Sequence, residues 1–283
     1  FQLDSLSMAE DFWRKIDQIS GHPSGYGRVG RLMPLLNDRE VTLAKARTEA
    51  AESHWKGAGT WTVTDAEAWE DWRPPSPTGV FVHDTLSAIL NPRRAVDSLA
   101  AAIGARGGDI AETGPDEGAV VWATGWQGLL DLGAALERPV GNGVKGQAAL
   151  LKYNAAGAPQ IYAEGLHIVP HLDGTLAVGS TSERDFESPI ETDAQLDDLL
   201  ARAGAILPVL HGAPVLKRWA GVRPRSLSRA PLLGPWPGRK GHFIANGGFK
   251  IGFAMAPKVA RIMVDLALEG ADAIPPDFHT NNL

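Results

Sequence analysis

The fold turns on the stretch from Trp219 to Pro257. It reads Trp219-Ala220-Gly221-Val222-Arg223-Pro224-Arg225-Ser226, then Pro231-Leu232-Leu233-Gly234-Pro235. It continues as Ala245-Asn246-Gly247-Gly248-Phe249-Lys250-Ile251-Gly252-Phe253 and closes on Ala256-Pro257. In physical terms, a short strand ends in a cation and a proline-stiffened connection leads to a second strand. A glycine-rich turn carrying a second cation then opens a helix. A helix start has unpaired backbone N–H groups, and small residues leave them open to an anion. The Arg223 guanidinium is a planar, two-pronged donor suited to a carboxylate or phosphate. A single arginine beside a glycine turn is more often a surface ion pair; the whole run of features is what points to a site.

Upstream, Met8, Phe12 and Ile16 recur at helical spacing and predict a helix over Ser7–Ile19, with Asp4, Ser5 or Ser7 as caps. Gly25-Tyr26-Gly27-Arg28-Val29-Gly30 matches G-x-G-x-x-G letter for letter. That motif works only between a buried strand and a helix. Here His22-Pro23 precedes it and Pro34 follows too soon for a helix interior, so Tyr26–Leu36 is read as a strand. Asp38–His54 is an exposed helix capped by Asn37 or Asp38. Thr64–Glu67 starts a short helical turn, and Gly79–His83 is a strand. Asn91-Pro92 begins a helix reaching about Ala105, with Val96, Leu99, Ala100 and Ile103 on its buried side.

Glu117 to Trp126 reads as a buried strand delivering its carboxyl end to the Gly125 turn. The residues alone equally suit a plain core strand. Val144-Lys145-Gly146-Gln147 opens a strand over Ala148–Tyr153. Antiparallel strands follow at Ile161–Ala163, His167–Pro170 and Thr175–Gly179, the last two joined by the Leu172-Asp173-Gly174 hairpin turn. Thr192–Leu207 is an amphipathic helix, Val215–Ala220 leads into the opening stretch, and the terminal helix covers about Lys258–Leu268.

At 283 residues the chain can bury a sizeable core. Its net charge of −6 argues against a nucleic-acid or anionic-membrane partner. It has no cysteine, hence no disulfide, thiolate or Cys-based metal chemistry. No apolar run reaches the roughly 18 residues of a membrane span, and a cytoplasmic location is expected. His167 and His171 stand four residues apart on a strand, roughly 13 Å, too far for one ion. No G-x-S-x-G offers a nucleophile elbow, and no pair of carboxylates supports glycosidase chemistry.

The pattern WAGxRP…PLLGP…GGFxxG…AP resembles the C-terminal end of the FAD-dependent amino-acid oxidoreductases of the D-amino-acid oxidase/glycine oxidase type. Asn91-Pro92-Arg93-Arg94 and the Val120–Trp126 segment resemble further parts of that family. The resemblance implies that Arg223 grips the substrate carboxylate. It implies that Gly125, Trp126, Gly221, Val222 and the Gly247-Gly248-Phe249-Lys250-Ile251-Gly252 turn lie against FAD. Lys250 stands where the glycine oxidase branch has a second arginine, and assists. His167 takes the place of a pocket tyrosine and Ser182 that of a pocket methionine; His167 is therefore a candidate pocket residue, although a histidine on such a strand is more often structural. The match covers nearly all of this chain but not the family's opening strand, G-x-G-x-x-G turn and ribose-binding acid. The expectation is a fragment of an FAD enzyme, with the ADP-binding unit in a missing segment or a second chain.

The resulting expectation is an α/β plus α+β protein. An incomplete Rossmann-like FAD lobe (residues 91–143 and 219–283) joins an antiparallel-sheet substrate lobe (residues 1–90 and 144–218). The expected activity is oxidation of a small amine or amino acid, glycine or D-amino acid, by hydride transfer to FAD. The rival expectation is a cofactor-poor remnant or subunit acting as a binding scaffold in a multi-chain amine dehydrogenase.

Overall fold

The structure, a computed structural model, describes residues 1–283. In chain order the elements are α1 (Gln2–Ser20), β1 (Arg31–Pro34), α2 (Asp38–Trp55), β2 (Trp61–Thr64), β3 (Phe81–Asp84), α3 (Pro92–Ala105), β4 (Val120–Trp122) and α4 (Gly125–Ala135). They continue as β5 (Gly141–Lys152), β6 (Gln160–Ala163), β7 (Leu166–Pro170), β8 (Thr175–Gly179), α5 (Ala194–Ile206), β9 (Val215–Ser226), β10 (Leu232–Pro235), β11 (His242–Asn246) and α6 (Gly252–Val264). An eight-stranded sheet runs β2-β3-β1-β6-β7-β8-β5-β9, and a three-stranded sheet runs β10-β11-β4. The large sheet is antiparallel except between β1 and β6; in the small one β4 runs parallel to β11. No helix is long and apolar enough to cross a membrane.

Side-chain alternation sorts the large sheet into two faces. On one face α5 presents Leu196, Leu199, Ala203 and Ile206 to Ala149, Leu151, Ile161, Ile168, Leu176 and Val178, all buried. Burying each Leu or Ile in this layer is worth about 1.5–3 kcal/mol, so this layer holds the sheet flat against α5. α4 continues the cover on the same face, with Leu129 over Gly141 and Trp126 over Gly143. The opposite face carries Tyr162, His167, Ala148, Trp219 and Arg223, and its rim is exposed. α2 covers only the far end of that face, packing Ala44 and Val41 on Met33, Val63 and Val82.

Several expected elements shift for identifiable reasons. α1 starts at Gln2 rather than Ser7. Its first turn is tied down from outside: Asp4 pairs with Lys258, buried Ser5 Oγ accepts the Lys258 N–H, and Phe1 meets Phe278 edge-on at 5.2 Å. Ser7 is therefore not a cap; its hydroxyl donates to Leu3 O within the helix. On α3 the buried side is Ala95, Ser98 and Ala102, while Val96 and Ile103 are exposed. Small residues allow close approach to α1, and Ser98 Oγ donates to Asp17 Oδ1 at 3.2 Å, which fixes the helix rotation against its apolar content.

β4 is shorter than expected and lies at the edge of the small sheet, with Val121 exposed, so it is not a buried strand. α4 follows directly where only a glycine turn was expected. β9 runs on through Arg223 and Pro224 to Ser226, which a proline permits because β9 is an edge strand. α6 begins at Gly252, so Pro257 lies inside it rather than before it. The Gly25–Gly30 segment carries no helix; Gly27 makes an isolated bridge to Ile89.

Candidate active site

Arg223 is a half-buried cation on the open face, carried by the edge strand β9. Its side chain lies flat across β5 at Gly146, where an added Cβ would overlap the guanidinium. On the far side of β5, Nη2 donates to Ser180 Oγ at 2.5 Å and Nη1 to the Thr181 carbonyl at 3.4 Å. Burial pushes the guanidinium below its ordinary value, with the nearby Glu183 charge opposing. The chain's ion pairs include neither Arg223 nor its neighbours Arg225 and Lys250. A partly desolvated guanidinium with only neutral acceptors has unused capacity for a bidentate anion.

The glycine turn docks against the end of β9. The Phe249 N–H donates to the Pro224 carbonyl at 3.1 Å, which sets the turn one residue beyond the clamp. Phe249 adopts φ 44°, and its ring is flanked by Arg225 at 5.9 Å and Lys250 at 5.6 Å. Gly247 has φ 75° and its Cβ position is crowded by Leu232, Ser226 and Ala230, so only glycine suits it.

Beside the turn is a cavity of about 210 Å³ lined by Gly125, Pro224, Asn246, Gly247, Gly248, Gly252, Met255 and Ala256, among others. α6 opens here with no side-chain cap on its first N–H groups. Added Cβ atoms at Gly125 and Gly252 would meet nothing within 4 Å. Glycine walls and free helix-terminal donors fit a flat, polar-edged group such as the ring of a flavin. The volume suits one portion of such a ligand. A larger groove of about 880 Å³ lies under α2, lined by residues such as Arg31, Met33 and Tyr162, and touches neither Arg223 nor the glycine turn.

Of the residues named from sequence, Gly125, Gly247, Gly248 and Gly252 line this one cavity. Arg223 adjoins it through Pro224. Phe249, Lys250 and Ile251 share the turn, with Lys250 and Ile251 exposed. Gly221 is exposed on β9. Trp126 and Val222 are brought together elsewhere, over Gly143 on the face opposite Arg223.

His167 aligns with Gly179, Ala148 and Trp219 in one cross-strand row, about 14 Å from β9 at ordinary strand spacing. It therefore cannot share a carboxylate with Arg223, but it faces the same side of the sheet. Its ring lies 4.7 Å from Tyr162. Burial, then the charges of Arg31 and Lys250, hold it below the usual histidine value and so neutral at pH 7. No group of three or more His, Asp or Glu forms a metal site.

Sequence reasoning missed Asn246, Ser180, Thr181 and Gly146. Asn246 Nδ2 donates to Gly125 O at 2.9 Å and its Oδ1 accepts the Gly247 N–H at 2.8 Å, joining the two turns that wall the cavity. An Asn-Gly pair ending a strand was the available signal. Ser180 and Thr181 gave only a polar run after β8.

Burial also holds His83 and His171 below 6.5, as it does His167. Protonation of these rings is thus penalised in the folded state. As pH falls past 6.5, the unfolded chain takes up protons first, and stability is lost between 6.5 and the lower folded values. The melting temperature should fall from pH 7.5 to 5.5, before the carboxylates titrate. A His83→Gln/His171→Gln variant should show a flatter profile. An equally steep profile in that variant would remove these rings as the cause.

Residues 2–266 match the family model described as FAD dependent oxidoreductase, and the chain belongs to that family. It is 38% identical over 156 residues to the glycine oxidase of Pseudomonas putida, covering 55% of this chain and 42% of that protein. It is 28% identical over 281 residues to the bifunctional protein ThiO/ThiG of Synechocystis, covering 90% of this chain and 40% of that protein. The chain thus spans about two fifths of the length of these curated relatives. Among solved structures, glycine oxidase from Geobacillus kaustophilus superposes with a TM-score of 0.81 at 21% identity, over 96% of this chain and 80% of that one. That likeness fixes the fold as the one these oxidases share.

Proposed function

We propose that this chain belongs to an enzyme that oxidises a small amine or amino acid with FAD. The observation that carries the reading is Arg223: half-buried, without an acidic partner, and one residue from a glycine-walled cavity. A substrate carboxylate would complete the guanidinium's fork and gain charge-assisted hydrogen bonds in a partly desolvated setting. Holding the carboxylate there orients the adjacent carbon toward the cavity, which is the main demand of this chemistry on a protein. Lys250 and Arg225 add positive field at the same end. His167, kept neutral, bounds the opposite end of the open face without repelling an ammonium group. FAD, when bound, supplies the acceptor for the hydride removed from the substrate carbon.

In this reading the three-stranded sheet with α3 and α6 forms the cofactor side, joined by α1 through its packing on α3 and α6. The eight-stranded sheet, β5 and β9 included, carries the substrate side. The visible absorption spectrum of the purified protein at its natural length, followed by a screen of glycine, sarcosine and D-amino acids, tests it. A flavin spectrum bleached by one of these substrates supports the proposal; a colourless protein that takes up no added FAD overturns it. His167→Ala should change KM or substrate range, and kinetics identical to the parent would remove His167 from the pocket.

A further inference from the structure

A polar cluster, buried at Lys145 and Gln147 and open to solvent at Asp193, sits on the α5 face of the sheet, behind the clamp. Gln147 is fully buried and Lys145 3% exposed. Gln147 Nε2 donates to Glu183 Oε1 at 3.1 Å and to Asp193 Oδ1 at 2.8 Å, and its Oε1 accepts the Asp193 N–H at 2.8 Å. Lys145 Nζ lies 3.5 Å from Glu183 Oε2 and 4.0 Å from Asp193 Oδ2. The Thr181 hydroxyl donates to Glu183 Oε1 and accepts the Gln147 N–H at 2.8 Å. Backbone bonds between Lys145 and Glu183, 2.9 Å in each direction, complete the anchor.

Every polar group named in this cluster has a partner, although apolar residues of the same volume would serve the core as well or better. What the cluster does is fasten the connector Ser180–Glu183 to β5. That connector supplies both groups on which the Arg223 guanidinium rests.

We propose that Lys145, Gln147, Thr181, Glu183 and Asp193 form a positioning system for the Arg223 clamp, fixing Ser180 Oγ and the Thr181 carbonyl where the fork must lie to receive a carboxylate. This rests on the reading of Arg223 as the carboxylate clamp. Thr181 is the residue through which the cluster reaches the connector, and it lies behind Arg223 rather than beside the substrate.

The test compares Thr181→Val, Thr181→Ser and Arg223→Leu in the holoenzyme, titrating glycolate as a carboxylate competitor and recording the melting temperature. Thr181→Val keeps the shape and loses the hydroxyl; it should weaken glycolate binding roughly ten-fold or more, while KM for a carboxylate-free amine stays unchanged. Thr181→Ser keeps the hydroxyl and should restore binding to within about two-fold of the parent. If Thr181→Val lowers only the melting temperature and leaves glycolate affinity unchanged, the cluster is structural and the inference fails. If Arg223→Leu itself leaves glycolate affinity unchanged, the clamp reading fails instead, and the two failures are told apart by that one variant.

Discussion

Replacing Arg223 with leucine should raise KM for amino-acid substrates by between about thirty-fold and several thousand-fold. That range is the roughly 2–5 kcal/mol lost when a desolvated charge pair is broken, at 1.4 kcal/mol per factor of ten. The effect belongs to binding, because leucine keeps an apolar side chain at this position of β9 and removes the fork that lies across Gly146. Ser180 Oγ and the Thr181 carbonyl, the fork's present acceptors, are only part-buried, so water can replace the lost donors and the melting temperature should move little. An amine with no carboxylate should keep its KM. Lysine at 223 restores charge but not the two-pronged geometry and should recover only part of the loss. Steady-state kinetics on one amino acid and one plain amine decides the matter, and an unchanged amino-acid KM in the leucine variant would refute the role.

The strands and helices with a strong period were legible, because burial on one side leaves its period in the sequence. α5 has Leu196, Leu199 and Ala203 in register and lies where the pattern places it. β8 matches its expected bounds residue for residue. Asn37 and Asn91 cap α2 and α3 through the side-chain bonds their residue types suggest. Where reading failed, tertiary contact overrode local pattern. The rotation of α3 is set by a hydroxyl bonded to Asp17 on another helix, which no apolar period can reveal. β4 has the composition of a buried strand but lies at a sheet edge.

The site divides the same way. A glycine turn before a helix is a local device, so Gly247, Gly248 and Gly252 could be picked out as a group, and they line one cavity with Gly125. Which way a strand residue faces depends on register, and that is a pairing between distant segments. Val222 and Arg223 are adjacent, so they must lie on opposite faces of β9. The supporting residues Ser180, Thr181 and Gly146 come from two other strand regions and meet Arg223 only because β5 pairs with β9 in this register, Gly146 opposite Gly221.

Gly146→Ala should separate site geometry from fold stability most sharply. The backbone at Gly146 is not in the left-handed region, so alanine is conformationally acceptable and, by restricting the unfolded chain, should add about 0.4–1 kcal/mol of stability. The new methyl, however, would enter the space of the Arg223 guanidinium, well inside the 3.0 Å that real Cβ contacts respect. Backbone cannot yield in the middle of a paired strand; the flexible arginine can, and it must lift off β5 and leave Ser180 and Thr181. A displacement of about 1 Å in a positioning group can cost on the order of 100-fold in rate. The expected result is therefore a melting temperature at or above the parent's together with kcat/KM lower by about two orders of magnitude. Adding Gly146→Ala to Arg223→Leu should cost nothing further, since the methyl then has no fork to displace and the two changes share one target. A parent-like kcat/KM in the single alanine variant would show that Arg223 meets its anion in a pose that does not cross Gly146.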